Sequence, residues 1–133
     1  MNQTLARCVL LADRHHGLSE GIRTLLQSMF EVVVMVADET SLMESASRLN
    51  PALAVVDLSL ERAGGLAWLA RLRAGSPGIK VVVISVHDEP GVIRAAKAAG
   101  ADAFVLKRAI ASDLIPAAEA VLAGRPFPPN GAE

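Results

Sequence analysis

The sequence contains no tyrosine, a single tryptophan (Trp68) and a single cysteine (Cys8). One cysteine cannot close an internal disulfide, so covalent bridges do not stand in for a core, and this usage fits a reducing compartment. Cys8 lies in an apolar run and reads as a small core residue. No apolar run approaches the length of a membrane span. The N-terminal stretch through His16 has too short an apolar segment for a signal peptide. The expectation is a cytoplasmic protein without membrane contact. Charge of one sign is also missing: the formal net charge is −1. That removes the basic footprint by which a domain holds nucleic acid, so no direct nucleic-acid contact is expected of this domain. There is no internal repeat and no low-complexity tract. What is present is apolar material, 52% of 133 residues against 20% charged, enough for one domain with a core of its own.

Short apolar runs occur at Cys8–Ala12, Val32–Val36, Leu53–Val56, Val81–Val86 and Ala103–Leu106. Most are rich in Val, Leu and Ile without polar alternation, as strands of a parallel sheet buried on both faces are. Helical spacing fills the gaps. Leu18, Ile22, Leu25, Leu26 and Met29 share one face of a first helix. Ser41 and Glu44 read as a capping box opening a second, with Leu42, Ala46 and Leu49 on one face. Leu66, Leu69 and Leu72 mark a third. Asp88, Glu89 and Pro90 open a fourth, which stops at Gly100. A fifth is expected from about Ser112 to Gly124, with Asp113 as its cap so that Pro116 falls where no helical N–H is needed. Residues 1–124 therefore read as one domain, and 125–133, with three prolines, as a frayed tail or the start of a linker.

Five βα units in sequence imply an α/β, flavodoxin-like doubly wound fold with a five-stranded parallel sheet in the order 2-1-3-4-5. Chemistry in such sheets gathers at the carboxyl ends of the strands. The residues standing there are Asp13, Asp57, Ser85 with His87 just beyond, and Lys107. Any one of them alone is an ordinary polar strand end. Two carboxylates, a hydroxyl and an ammonium on one rim form a complementary set.

The runs Val9-Leu-Leu-Ala-Asp13, Ala54-Val-Val-Asp57-Leu-Ser-Leu, Val82-Val-Ile-Ser85 and Phe104-Val-Leu-Lys107 resemble, in order and spacing, the four signatures of a response-regulator receiver (CheY-like) domain of two-component systems. The resemblance covers the chain from about Cys8 to Gly124. The texture Ala12-Asp-Arg-His-His and the ending Ala120-Val-Leu-Ala-Gly-Arg125 are similar to the NarL/FixJ-type subfamily, in which a helix-turn-helix DNA-binding domain follows the receiver. The resemblance implies a phosphorelay. Asp57 would accept a phosphoryl group from a sensor histidine kinase, and Ser85 and Lys107 would contact it. Ser85 and Phe104 would form the switch. Magnesium would be held by Asp13, Asp57 and the backbone carbonyl of Ser59. The output would be transcription regulation through a DNA-binding domain in a longer chain, so the module itself is not expected to be an enzyme. A homodimer is a further expectation, with no choice of helices from the surface residues.

The departures from that pattern bear on the same site. Arg14 replaces the acid that in the family touches the metal directly. Two carboxylates against Arg14 and Lys107 sum to zero before any metal arrives, and a fixed cation repels a divalent ion. Arg14 is expected either to fork onto Asp57 or to turn to solvent and weaken metal binding. Glu61 stands where proline is usual, Gly64 where an acid is common, and Arg108 where proline often follows the lysine. Val86 follows Ser85 with β-branched bulk that narrows the approach to Asp57, and His87 is a second candidate for modulating the site. His15 and His16 read as solvated loop residues. Asp13-x-His15 also resembles the opening of a cobalamin-binding motif, but Leu18 holds the place of its glycine. A nucleotide site would want a glycine-rich loop after the first strand, which is absent. The rival reading is a pseudo-receiver, the same fold serving as a phosphorylation-independent protein-binding module.

Overall fold

The computed structural model describes residues 5–61 and 65–127, with the side chains of 5–7 and 16–18 left aside. Five strands form one parallel sheet: β1 (Leu5–Ala12), β2 (Val32–Val36), β3 (Pro51–Asp57), β4 (Lys80–Ser85) and β5 (Ala103–Leu106). Their order is β2-β1-β3-β4-β5, as expected from the alternation. The helices are α1 (His16–Leu26), α2 (Glu39–Leu49), α3 (Ala67–Gly75), α4 (Pro90–Ala98) and α5 (Ile110–Leu122). Short 3₁₀ turns follow β3 at Leu58–Leu60 and β5 at Lys107–Ala109.

Strand parity sorts the core into two layers. Leu10, Ala12, Ala54, Val56, Val81, Val83 and Phe104 face α2, α3 and α4, meeting Leu42, Trp68, Leu69, Leu72 and Ala96. Val9, Leu11, Leu53, Val55, Val82, Ile84 and Val105 face α1 and α5, meeting Ile22, Leu26, Leu114, Ala118 and Val121. The central strands are apolar on both faces because both are covered. Edge strand β2 stays half-buried, with Val32 49% exposed. Cys8 is buried, and burial pushes its thiol up, so it is inert at neutral pH.

Two helix starts differ from the sequence reading. Helix α2 is capped by Asp38, whose carboxylate accepts the Ser41 N–H at 2.8 Å, so Ser41 is not the cap. The chain therefore enters the helix earlier, and that hydrogen bond holds the Asp38 carboxyl below its ordinary value. Helix α5 begins at Ile110, which leaves Asp113 in the first turn and Pro116 inside the helix. The ring costs one backbone hydrogen bond there, but Leu114, Ala117, Ala118 and Val121 are buried against the sheet and hold the helix through it. The start of the tail is also not frayed. Phe127 bridges Ala103 at the open edge of β5 and packs against the core. Residues 128–133 and Gly64 lie outside the described residues, as does the side chain of Leu18.

The rim opposite the strand ends is fastened by polar groups. Arg73 donates to Asp102 at 3.1 Å and to the carbonyl of Ile79, and Asp102 accepts the Val81 N–H at 2.8 Å. Gly100 ends α4 at φ +122, and a Cβ there would stand 3.3 Å from Arg73 Nε. Gly21 lies exposed within α1 with open space around it. The two glycines thus predict opposite outcomes. Gly100→Ala should cost about 1–2 kcal/mol of stability through backbone strain, and Gly21→Ala should gain up to about 1 kcal/mol. Urea unfolding followed by the emission of Trp68, the sole tryptophan in a chain without tyrosine, measures both.

Candidate functional site

Strand register builds the site. Ala12 of β1 pairs with Val56 of β3, which places Asp13 beside Asp57. Asp57 pairs with Ile84, so Ser85 follows one residue further out, and Ser85 pairs with Leu106, so Lys107 follows next. The four residues singled out as strand ends thus come together on one rim. Asp13 and Asp57 are each 3% exposed and Ser85 1%, unusual burial for polar groups.

Lys107 lies between the acids, its Nζ 3.2 Å from Asp13 Oδ2 and 3.5 Å from Asp57 Oδ2, with only 7% of its side chain exposed. The Ser59 hydroxyl donates to Asp57 Oδ2 at 2.7 Å. Ser59 entered the sequence reading only through its carbonyl, so this hydroxyl contact is new. Ser85 Oγ accepts the His87 N–H at 2.8 Å, and His87 Nδ1 stands 3.7 Å from Glu89. Phe104 is packed inward in the core at 7% exposure. Val86 stands 68% exposed at the mouth of a cavity of about 330 Å³ over Asp57. The cavity is lined by Asp57, Ser59, Ser85, Lys107 and both His15 and His87, so Val86 borders the approach without closing it.

One reading needs correction and another an addition. Arg14 does not fork onto Asp57: among the described residues it has no ion-pair partner, and its Nε is buried without a hydrogen bond. The reading of His15 as a solvated loop residue holds for its side chain, 59% exposed, but is incomplete. Its backbone N–H donates to Asp13 Oδ1 at 2.9 Å, which closes a tight turn on the aspartate. That turn brings the ring over the pocket, with Nδ1 3.2 Å from Asp13 Oδ1 and 3.5 Å from Asp57 Oδ2. The signal in the sequence is Asp-x-His directly after a strand, since aspartate favours this side-chain turn.

The chain's fold agrees with what it is similar to. A family model described as "Response regulator receiver domain" matches residues 9–119. The chain belongs to that family. It is 28% identical over 118 residues to the transcriptional regulatory protein DegU of Brevibacillus brevis, covering 87% of this chain and 50% of that one. It is 30% identical over 118 residues to the nitrate/nitrite response regulator protein NarL of Escherichia coli, covering 87% and 55%. A crystal structure of a two-component response regulator of the LuxR family from Aurantimonas superposes with a TM-score of 0.82 at 27% identity, covering 91% and 88%. The receiver spans about half the length of these curated relatives. No helix among the described residues is long and apolar enough to cross a membrane.

Receivers of this family are expected to hold magnesium, and the donor set can be tested for it. Ligand atoms of Asp13, His15 and Asp57 lie within 4.8 Å of one another. The set does not fit. Magnesium demands oxygen ligands in near-octahedral array; the expected set of Asp13, Asp57 and the Ser59 carbonyl offers oxygens, but the His15 imidazole stands between the two acids, 3.2 Å from Asp13 Oδ1 and 3.5 Å from Asp57 Oδ2. Both oxygens of Asp13 and Oδ2 of Asp57 already face His15, Lys107 or Ser59. Arg14 stands where a further acid would.

Lys107 is thus the counter-charge of two buried carboxylates. Lys107→Ala should destabilise the domain by about 3 kcal/mol, the usual cost of breaking a buried pair. Asp13→Asn added to it should recover much of that loss. A double-mutant cycle by urea unfolding checks the coupling, and additive effects would contradict it.

Proposed function

We propose that Asp57 accepts a phosphoryl group from a sensor histidine kinase and that the new charge switches an output carried elsewhere in a longer chain. The observation that carries this reading is the setting of Asp57: a buried carboxylate beneath an open cavity, with Lys107 and the Ser59 hydroxyl on one oxygen. A carboxylate so placed is a nucleophile with its charge-stabilising groups already assembled. An Asp57 oxygen bonds to phosphorus as the bond from phosphorus to the donor's imidazole nitrogen breaks. The imidazole leaves with the bonding pair and takes a proton from water.

The neighbours have consistent roles. Lys107 can follow charge from the carboxylates to the phosphoryl oxygens. Ser85 now accepts from the His87 backbone, and its own proton is available to a phosphoryl oxygen. Phe104, two residues along β5 from its last residue, packs inward and would report that movement to the α4 side of the sheet. The name of the relative DegU describes transcription regulation, which supports a DNA-binding output domain following residues 1–124. Pairing of two receivers and a cytoplasmic location belong to the same reading. The domain then acts as a signalling module and does not turn over a substrate.

Intact-mass measurement after incubation with phosphoramidate tests the central claim. The wild type should gain one phosphoryl group and Asp57→Asn none. An adduct that survives in Asp57→Asn would move the acceptor elsewhere. No adduct under any condition would favour the phosphorylation-independent binding module.

A further inference from the structure

The pocket's disagreement with magnesium has a positive side. Each oxygen that a divalent ion would take from Asp13, and the Oδ2 that it would take from Asp57, faces a donor from the chain itself. Asp13 Oδ1 accepts the His15 backbone N–H at 2.9 Å and faces its ring Nδ1 at 3.2 Å. Asp13 Oδ2 meets Lys107 at 3.2 Å. Asp57 Oδ2 meets Lys107 and His15 Nδ1, each at 3.5 Å. With its proton on Nδ1, the His15 ring donates to Asp13 and also faces Asp57 Oδ2. It thereby bridges the two acids, as a shared metal ion bridges its ligands. Arg14 follows Asp13 in the chain, and its Nε is enclosed and unpartnered. Lys107 alone already pairs with both acids.

We infer that this receiver is metal-independent: His15 and Lys107 hold the two carboxylates in register, and phosphoryl transfer to Asp57 proceeds without a divalent cation. The inference rests on Asp57 being the phosphoacceptor. With phosphoramidate as donor, an Asp57 oxygen bonds to phosphorus while the phosphorus–nitrogen bond breaks. The nitrogen, already carrying its protons, departs as ammonia with the bonding pair. Lys107 and His15 are the positioning groups, and both line the cavity through which the donor must enter.

Two measurements on the chain decide it. In the first, magnesium is titrated against ¹⁵N-labelled protein and the amide signals of Arg14, Asp57 and Ser59 are followed. The wild-type signals should stay in place to tens of millimolar, whereas Arg14→Asp should shift them saturably in the low millimolar range. Saturable low-millimolar shifts in the wild type would overturn the inference. In the second, phosphoramidate labelling is read by intact mass in EDTA and in magnesium. Equal rates in the two buffers are expected for the wild type. His15→Ala should lose roughly tenfold or more in EDTA, as removal of one preorganised donor does, and should recover part of that loss in magnesium. A merely structural role for His15 would give equal losses in both buffers and would count against it. Trp68 emission checks that the variants are folded. Labelling that requires magnesium would overturn the metal independence while leaving Asp57 as acceptor, and labelling in neither buffer would overturn the acceptor reading itself.

Discussion

An ammonium group held between two buried carboxylates is the constraint on which the functional rim depends. Asp13 and Asp57 sit side by side because β1 and β3 are in register, and neither can move away without breaking the sheet. Two like charges so placed repel strongly where water is scarce. Lys107 reaches both from the end of β5, two strands beyond β3 in the sheet. The attraction therefore ties the far side of the sheet to its centre at the rim where no backbone hydrogen bonds continue. Such a pair contributes little net stability over an apolar substitute, but its loss exposes the cost of each uncompensated charge. This is why the rim keeps one geometry while remaining the part of the molecule most sensitive to an added charge.

The opposite rim shows the contrasting solution. There Asp102 is engaged by Arg73 and by the Val81 N–H, beside a cavity that Lys80, Gly124 and Arg125 also line. The tail leaves α5 through Gly124 at φ +76 and lays Phe127 beside Ala103. At that end the carboxylate is held by an arginine and a backbone N–H, whereas at the strand-end rim the Asp57 carboxylate lines a cavity together with a hydroxyl and an ammonium. The same sheet thus has a fixed end and a reactive end, the division expected when loops on a rigid scaffold carry the chemistry.

Much of this was legible in the sequence, for a reason that also marks the limit. Strands of a covered parallel sheet read as unbroken apolar runs, so all five were found, the half-buried edge strand β2 included, and the order followed from their alternation with helices. The polar residue ending each run was legible as well, because it interrupts a strong pattern. Local competition was not legible. Asp38 and Ser41 can both cap α2, and the sequence does not say which wins; the structure gives the place to Asp38. Pro116 argued for a late start to α5, yet burial of Leu114 and Ala118 outweighed one lost hydrogen bond. The role of His15 depends on a turn only three residues long, and the course of Arg14 on packing around a single nitrogen. Neither leaves a periodic trace.

The same local turn explains how so crowded a pocket can still switch. A phosphoryl group on Asp57 adds negative charge where one lysine already serves two acids, so a cation must be reassigned. Lys107 is the candidate, since it lies 3.5 Å from the Asp57 oxygen on which that charge would appear. Moving it toward the phosphoryl group strips Asp13 Oδ2 of its partner. Asp13 Oδ1 keeps the His15 backbone N–H, a donor fixed by the turn and independent of the lysine. The buried acid is therefore never wholly unpaired, and the penalty for transferring Lys107 falls from that of an isolated charge to that of a partly satisfied one. A switch needs two arrangements separated by only a few kcal/mol. On this argument His15 helps to keep the second arrangement within reach, because it holds Asp13 through either one.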